Sequence, residues 1–289
     1  MASLPVELRR TPVSPEVRAW VVRAVGSEVV RVQRLPGSST SALHRLTLAS
    51  GTRLVLRRYA WRGFLENEPH APVREIAALI YARRQRLPVP EVVAADPAGT
   101  DTRDGVPVLL MTWLPGRPTA APDARRLAEA AALIHVVDAN ELGHDYFPWY
   151  LAEMTAPPPL TSRPELWEQA IELWHGATPV HRRTFIHRDF HPGNLLWSRG
   201  RLTGIVDWAN ACRGPSGCDI AHCRANLRDL AGPDAADAFV AAYESITGHA
   251  LDPYWIVAAH LEHDQAHWTS ERLAADEEDL ARAVQSLTG

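Results

Sequence analysis

The stretch FIHRDFHPGNLLW (185–197) sets Asp189 and Asn194 on one short loop that contains Pro192 and Gly193, and GIVDW places Asp207 downstream of it. Asn194 and Asp207 are hard oxygen donors of the kind magnesium takes when it shares its coordination with phosphates and water. Asp189 is then the group to orient an acceptor hydroxyl and take its proton during phosphoryl transfer. Such a transfer also needs a cation on the nucleotide phosphates, held by a partner. The chain has no lysine, so all 30 of its basic residues are arginine. Arg57, ending LVLR, fills that role because Arg58 points to the opposite face of a strand, and Glu75, in the R-E-I of the next helical segment, is its expected partner. An arginine here offers a permanently charged fork instead of a point charge. His187 and His191 are four residues apart, but Pro192 and Gly193 argue against helical ligand geometry.

These residues require particular elements to position them. VVRVQRL (29–35), ALHRLTL (42–48) and RLVLRRY (53–59) read as three antiparallel strands joined by turns at PGSSTS and SGT. APVREIAALIYARRQRL (71–87) reads as a helix with Ile76, Leu79 and Ile80 on one face, and VPVLLMTW (106–113) as a last strand. LPGRP (114–118) is the domain boundary. Beyond it the spacing predicts helices over 123–138, 164–176, about 219–230, 235–246, 253–268 and the acidic end of the chain. LLWSRGRLTGIVDW (195–208) is the exception, a tight hairpin that turns the chain back on itself ahead of Asp207.

HRDFHPGNLLW resembles the H-x-D-x-x-x-x-N loop of the aminoglycoside phosphotransferase family, and IVDWANACRGPSGCDIAH resembles its metal-binding Asp-Trp segment with the downstream Asp219. LVLR, REIAAL, LPVPEVV and LLMTWLPGRP extend the likeness more weakly over the whole chain. The resemblance implies an α+β, bilobal, protein-kinase-like fold: a nucleotide-binding lobe at 1–111 with an antiparallel sheet and one main helix, a hinge at 112–118, and a mostly helical catalytic and acceptor lobe at 119–289. It also implies that Thr112 to Leu114 meet adenine, that Val55 and Leu196 sandwich the base, and that Gly37 to Thr40, with Ser38 and Ser39, cover the phosphates. A plain hairpin turn explains PGSSTS equally well. His187 and Asp219 become structural supports of the loop. Two positions depart from the family: Arg57 stands for the usual lysine, and Arg188 stands where antibiotic kinases usually have glycine. Only 12 residues separate Asp207 from Asp219, too few for a phosphorylated activation segment, so Arg188 is expected to pair with a nearby carboxylate.

The family builds its acceptor site from the last helices, where Glu262, Asp264 and Glu271 could bind an amino sugar, alongside His260, His263 and His267. The run Asp276 to Asp279 reads as a solvated helix face. Trp149, in the irregular YFPWYL, suits an aromatic wall beside a sugar ring or bulky apolar acceptor, although aromatics at helical spacing are usually core. The implied reaction is magnesium-dependent transfer from ATP or GTP to a small-molecule hydroxyl. An aminated antibiotic leads as acceptor; homoserine, an amino alcohol such as choline, or a sugar follows. A non-catalytic nucleotide-binding module and a protein kinase are the rivals, opposed respectively by the intact Asp189, Asn194 and Asp207 and by the absence of an A-P-E stretch.

Composition sets outer limits. At 289 residues and 46% hydrophobic, the chain can bury a substantial core. Cys212, Cys218 and Cys223 suit neither a disulfide framework nor a zinc pair, which leaves buried thiols. Residues 1–120 carry 17 arginines against 10 acids, whereas 226–289 carry 3 against 12. A basic front suits an anionic nucleotide and an acidic rear a cationic ligand; solvated helix faces explain the latter equally well. No apolar run approaches the roughly 18 residues of a membrane span, and MASLPVELRR lacks a signal profile. The expectation is a cytoplasmic monomer or dimer with no nucleic-acid or membrane partner.

Overall fold

The computed structural model describes residues 11–38, 40–119, 123–149, 154–262 and 269–289. Ser39, Asp264, His263 and His267 lie outside that set. The fold is α+β, in two compact units: Met1–Pro118 with Leu195–Ala211, and Thr119–Asn194 with Cys212–Gly289.

In the first unit, α1 (Pro15–Val25) precedes β1 (Val29–Leu35), β2 (Ala42–Leu48) and β3 (Arg53–Arg58). Then come α2 (Arg62–Asn67), α3 (Ala71–Arg84), β4 (Val92–Asp96) and β5 (Val108–Thr112). Adjacent strands run antiparallel in the order β1-β2-β3-β5-β4. The period-2 alternation of β3 divides its side chains. Leu54 and Leu56 join Leu46, Val108 and Leu110 beneath Val17, Trp20 and Val21 of α1. Arg58 is on that side too, and its guanidinium donates to the Pro12 carbonyl and to Asp104. Arg57 therefore emerges on the opposite face, toward α3.

The buried stripe of α3 differs from the expected one. Ala71, Glu75, Ala78, Leu79 and Ala82 are buried, while Ile76 is half-buried and Ile80 is 41% exposed. The stripe is rotated because the helix must bring Glu75 inward to a buried guanidinium, and small alanines let it approach. α1 and β4 were not anticipated. The first unit closes with the hairpin β7 (Leu195–Ser198) and β8 (Arg201–Ile205), in which Leu195 pairs with Ile205. The hairpin is stitched to residues 112–118 and to Pro88. Arg117 exchanges backbone hydrogen bonds with Trp197 (3.2 and 3.0 Å), the Thr203 hydroxyl donates to Pro115 O, and Ile205 N–H donates to Pro88 O (2.7 Å). Gly116, at φ 108, is required at this crossing, since a Cβ would stand 2.6 Å from Thr203 Oγ1 and 2.8 Å from Trp197 O.

The second unit contains α4 (Ala124–His135), α5 (Pro164–His175), β6 (Arg183–Ile186), a 3-10 turn (Pro192–Asn194), β9 (Cys212–Pro215), α6 (Ser216–Ala231), α7 (Pro233–Thr247), α8 (Pro253–Leu261) and α9 (Ser270–Thr288). β6 and β9 form a short antiparallel pair on either side of the loop and hairpin segments. Trp167 and Trp174 belong to the core with Trp255, Leu261 and Leu280, and the three cysteines are free and buried.

The acidic run on α9 is a correction. Asp276, Glu277 and Asp279 are 8%, 2% and 2% exposed; only Glu278 faces water. Asp279 receives Arg224 through both oxygens (2.6 and 2.8 Å), Arg228 (3.1 Å) and His260 (3.0 Å). Glu277 accepts from Thr161, Ser162 and the Trp167 indole. Buried acids are tolerated when fully paired, and here they fasten α9 to α6, α8 and the start of α5. None of the described helices is long and apolar enough to cross a membrane.

Candidate active site

In the first unit Arg57 is 3% exposed and its Nη1 reaches two carboxylates, Glu75 Oε1 at 2.9 Å and Asp207 Oδ1 at 2.6 Å. Tyr59, just past the end of β3, donates its hydroxyl to the other oxygen of Glu75. Burial works against the charge of Arg57, but Asp207 and then Glu75 raise its pKa above the ordinary arginine range. Burial raises Glu75, with Arg57 opposing. Asp207 is the most open member, with its side chain 31% exposed, and it lies just beyond β8 at φ 67. The left-handed conformation is uncommon outside glycine and marks a residue held by its surroundings.

The remaining nucleotide candidates lie on the same unit. Val55 and Thr112 are half-buried on β3 and β5; the Thr112 hydroxyl accepts from the Glu91 N–H at 2.9 Å. Leu114 and Leu196 converge over Gly204, where a Cβ would stand 2.5 and 3.3 Å from their Cδ1 atoms. The Ser38 hydroxyl is engaged locally, with Ser41 Oγ (2.9 Å) and Ser41 N–H (3.1 Å).

In the second unit Asp189 and Asn194 meet directly. The Asn194 amide donates to Asp189 O (2.9 Å) and Oδ2 (3.1 Å), which leaves its own Oδ1 as an acceptor. The turn between them is tight: the Gly193 N–H donates to His191 Nδ1 at 3.1 Å, and a Cβ on Gly193 would stand 2.6 Å from that ring. The other Asp189 oxygen, Oδ1, lies 3.1 Å from His222 Nε2 and 3.8 Å from His191 Nε2. Burial favours the neutral acid, but the hydrogen bond and charge of His222, followed by His191 and His187, bring the Asp189 pKa down to about 2. The carboxylate is charged throughout the physiological range.

Asp219 supports this loop from α6. It is fully buried and accepts the backbone N–H groups of His187 (2.7 Å) and Arg188 (2.6 Å) and the His135 Nε2 (3.0 Å). Burial opposes its charge, yet these partners hold its carboxyl below the usual range. His187 is buried with its ring edge-on to Phe190.

Arg188 has φ 68 and is 3% exposed. Its guanidinium pairs with Glu262 (3.1 and 3.0 Å), donates to Phe147 O (3.2 Å), and lies 3.7 Å from the Trp149 ring centroid and 4.7 Å from that of Tyr146. The partner carboxylate was expected, but it comes from the far end of α8. A left-handed φ favours glycine, so an arginine here is held against backbone strain by its side-chain contacts. Glu262 also accepts the Trp149 N–H at 2.7 Å. Both were expected as acceptor ligands; the structure joins them to each other and to Arg188. Glu271 is exposed in the first turn of α9. A cavity of about 220 Å³ is lined by Trp149, Cys218, His222, Trp255, Ala258, Ala259 and Glu262. His222 was missed by sequence reasoning; its position three residues after Asp219 on one helix face was the available signal.

No group of three or more His, Cys, Asp or Glu among the described residues could hold a metal by itself. Asn194 Oδ1, left as an acceptor while its amide donates to Asp189, is a hard oxygen donor of the kind magnesium takes alongside phosphate and water.

The family model of the phosphotransferase enzyme family APH matches residues 31–254, well over half of the chain. The chain belongs to this phosphotransferase family. A homoserine kinase of Gluconacetobacter diazotrophicus is 30% identical over 175 residues, covering 54% of each chain, so the chain spans about half the length of that curated relative. Among solved structures, a thermostable mutant of aminoglycoside phosphotransferase APH(4)-Ia with ADP and hygromycin B superposes with a TM-score of 0.66 at 16% identity, over 95% of this chain and 99% of that one. Macrolide 2'-phosphotransferase MphH from Brachybacterium faecium gives 0.60 at 20%, over 91% and 96%. These likenesses establish the kinase-like fold.

Proposed function

We propose that this phosphotransferase moves the γ-phosphoryl group of ATP or GTP to a hydroxyl of a small molecule. The observation that carries this reading is the Asp189 carboxylate, charged at physiological pH and held by Asn194 and His222. Asp189 orients the acceptor hydroxyl and takes its proton as the new O–P bond forms; the bond to the β-phosphate breaks and the nucleoside diphosphate leaves. Arg57, buried against Glu75 and Tyr59, holds the phosphates with a charge that no physiological pH removes. Asn194, through its Oδ1, and Asp207, the most open partner of Arg57, are each assigned as magnesium donors by the family resemblance; magnesium would neutralise charge on the phosphate oxygens. Leu114, Leu196 and Val55 contact the base from residues 1–118 and the hairpin, with 112–118 as the hinge segment.

For the acceptor, an aminated antibiotic was the leading expectation. Glu262 favours the alternative: Arg188 already compensates its charge, so the cavity it lines offers an ammonium group little attraction. The cavity is also smaller than the about 300–1,000 Å³ typical of drug-sized ligands. Of the compact metabolites, a small sugar is therefore better supported as acceptor than homoserine or an amino alcohol, each of which carries an ammonium group. The test is nucleotide consumption with MgATP and MgGTP against metabolite and antibiotic panels, with Asp189→Asn as control. Faster turnover of aminoglycosides than of any metabolite would overturn the acceptor reading. Equal nucleotide consumption by wild type and Asp189→Asn across both panels would overturn the reaction itself.

A further inference from the structure

We infer that His222 is a positioning residue for Asp189, holding the base in place from the wall of the acceptor cavity; this rests on the reading of Asp189 given above. A carboxylate that must meet a hydroxyl in one orientation has to be fixed about its Cβ–Cγ bond, and a single hydrogen bond leaves it free to turn. Asn194, from the same loop, fixes Oδ2 at 3.1 Å. His222 fixes Oδ1, also at 3.1 Å, from α6. With its proton on Nε2, the ring donates to Oδ1.

The helix makes the placement precise enough to matter. Asp219 and His222 are three residues apart on one face of α6. Asp219 receives the N–H groups of His187 and Arg188, so the same helical turn that sets the loop backbone also sets the side chain that follows it. Three neighbouring groups address Asp189, yet they are unequal: His191 stands off at 3.8 Å, and its Nδ1 is taken by Gly193. His222 alone among these groups also lines the cavity with Trp149, Trp255 and Glu262. One ring therefore touches both the base and the space beside it.

The experiment compares wild type, Asp189→Asn, His222→Leu and His222→Gln, using MgATP with water as the acceptor and then with the best hydroxyl acceptor from the panels. Thermal unfolding confirms that each variant is folded. Leucine removes the donor, whereas glutamine keeps an N–H at the reach of Nε2. The expected result is a kcat about 10- to 100-fold lower for His222→Leu, the loss of one hydrogen bond to a charged group. His222→Gln should recover to within about fivefold of wild type, and nucleotide KM should stay within about twofold in both, because the Arg57 set is untouched. A His222→Leu enzyme within twofold of wild type, or glutamine as impaired as leucine, overturns the inference. If either happens while Asp189→Asn is inert, only the role of His222 falls; if Asp189→Asn turns over like wild type, the assignment of the base falls first.

Discussion

Arg188→Gly separates a backbone cost from a side-chain gain at one position. Holding a non-glycine residue at φ 68 costs about 1–2 kcal/mol. Against that stand the ion pair with Glu262, whose side chains are 3% and 8% exposed, and the rings of Trp149 and Tyr146. Deleting the guanidinium leaves the Glu262 carboxylate buried with the Trp149 N–H, a loss of about 3–5 kcal/mol, and forfeits about 1 kcal/mol of cation–π attraction. Setting the relieved strain against these, Arg188→Gly should destabilise by about 2–5 kcal/mol. Arg188→Ala keeps the strain and should be about 1 kcal/mol worse. Adding Glu262→Leu to Arg188→Gly removes the stranded charge and should return at least half of the loss. Urea unfolding at pH 7, followed by tryptophan fluorescence and far-UV circular dichroism with the m-value checked, measures all four proteins. The reasoning is refuted if Arg188→Gly stays within 1 kcal/mol of wild type, if alanine is as stable as glycine, or if the double variant gains nothing over the single one.

Other outcomes follow from the same geometry. Arg57→Ala should cost well over tenfold in kcat or nucleotide KM, a loss of more than about 1.4 kcal/mol, and wild-type kinetics would remove Arg57 from the site. Asp189→Asn should lower turnover by at least about a hundredfold with nucleotide affinity retained, read by single-turnover kinetics. Burial, then Arg34 and Arg58, lowers the His44 pKa from 6.5 to about 4. The unfolded chain therefore binds the extra proton between those values, and stability falls as pH drops from 6.5 toward 4, by up to about 3 kcal/mol. His44→Gln should flatten that part of the stability–pH curve, and an unchanged slope would show that other groups cause it. Asp279→Asn weakens a buried knot of Arg224, Arg228 and His260 and should lower stability by about 3 kcal/mol or more in the same urea assay.

Much of this was legible in the sequence because its signals are local. β2 alternates buried and half-buried residues over its seven positions, and the boundaries of β1, β2 and β3 fall within a residue of expectation. Asp189 and Asn194 are close in sequence and Glu75 begins the next helix, so spacing alone brought them into view. What escaped depends on partners far along the chain. β4 exists because it pairs with β5, and β6 pairs with β9 across the whole loop and hairpin. A charged run reads as solvated until α9 is seen to meet Arg224 and His260, which supply the counter-charges that make burial tolerable. For Arg188 a nearby carboxylate was expected, but its left-handed backbone and the origin of its partner at the end of α8 are invisible to local pattern.

The Arg57 site carries a practical consequence for chemical biology. Acylating nucleotide reagents, and aldehydes that trap amines reversibly, report on ATP-binding enzymes by reacting with a lysine beside the phosphates. Under the proposed assignment that place is taken in this chain by the Arg57 guanidinium, locked between Glu75 and Asp207, and no side chain anywhere offers an amine. Activity-based surveys built on amine capture would pass over this protein even when its nucleotide site is full. Guanidine-directed dicarbonyls, competed by nucleotide, are the chemistry matched to it.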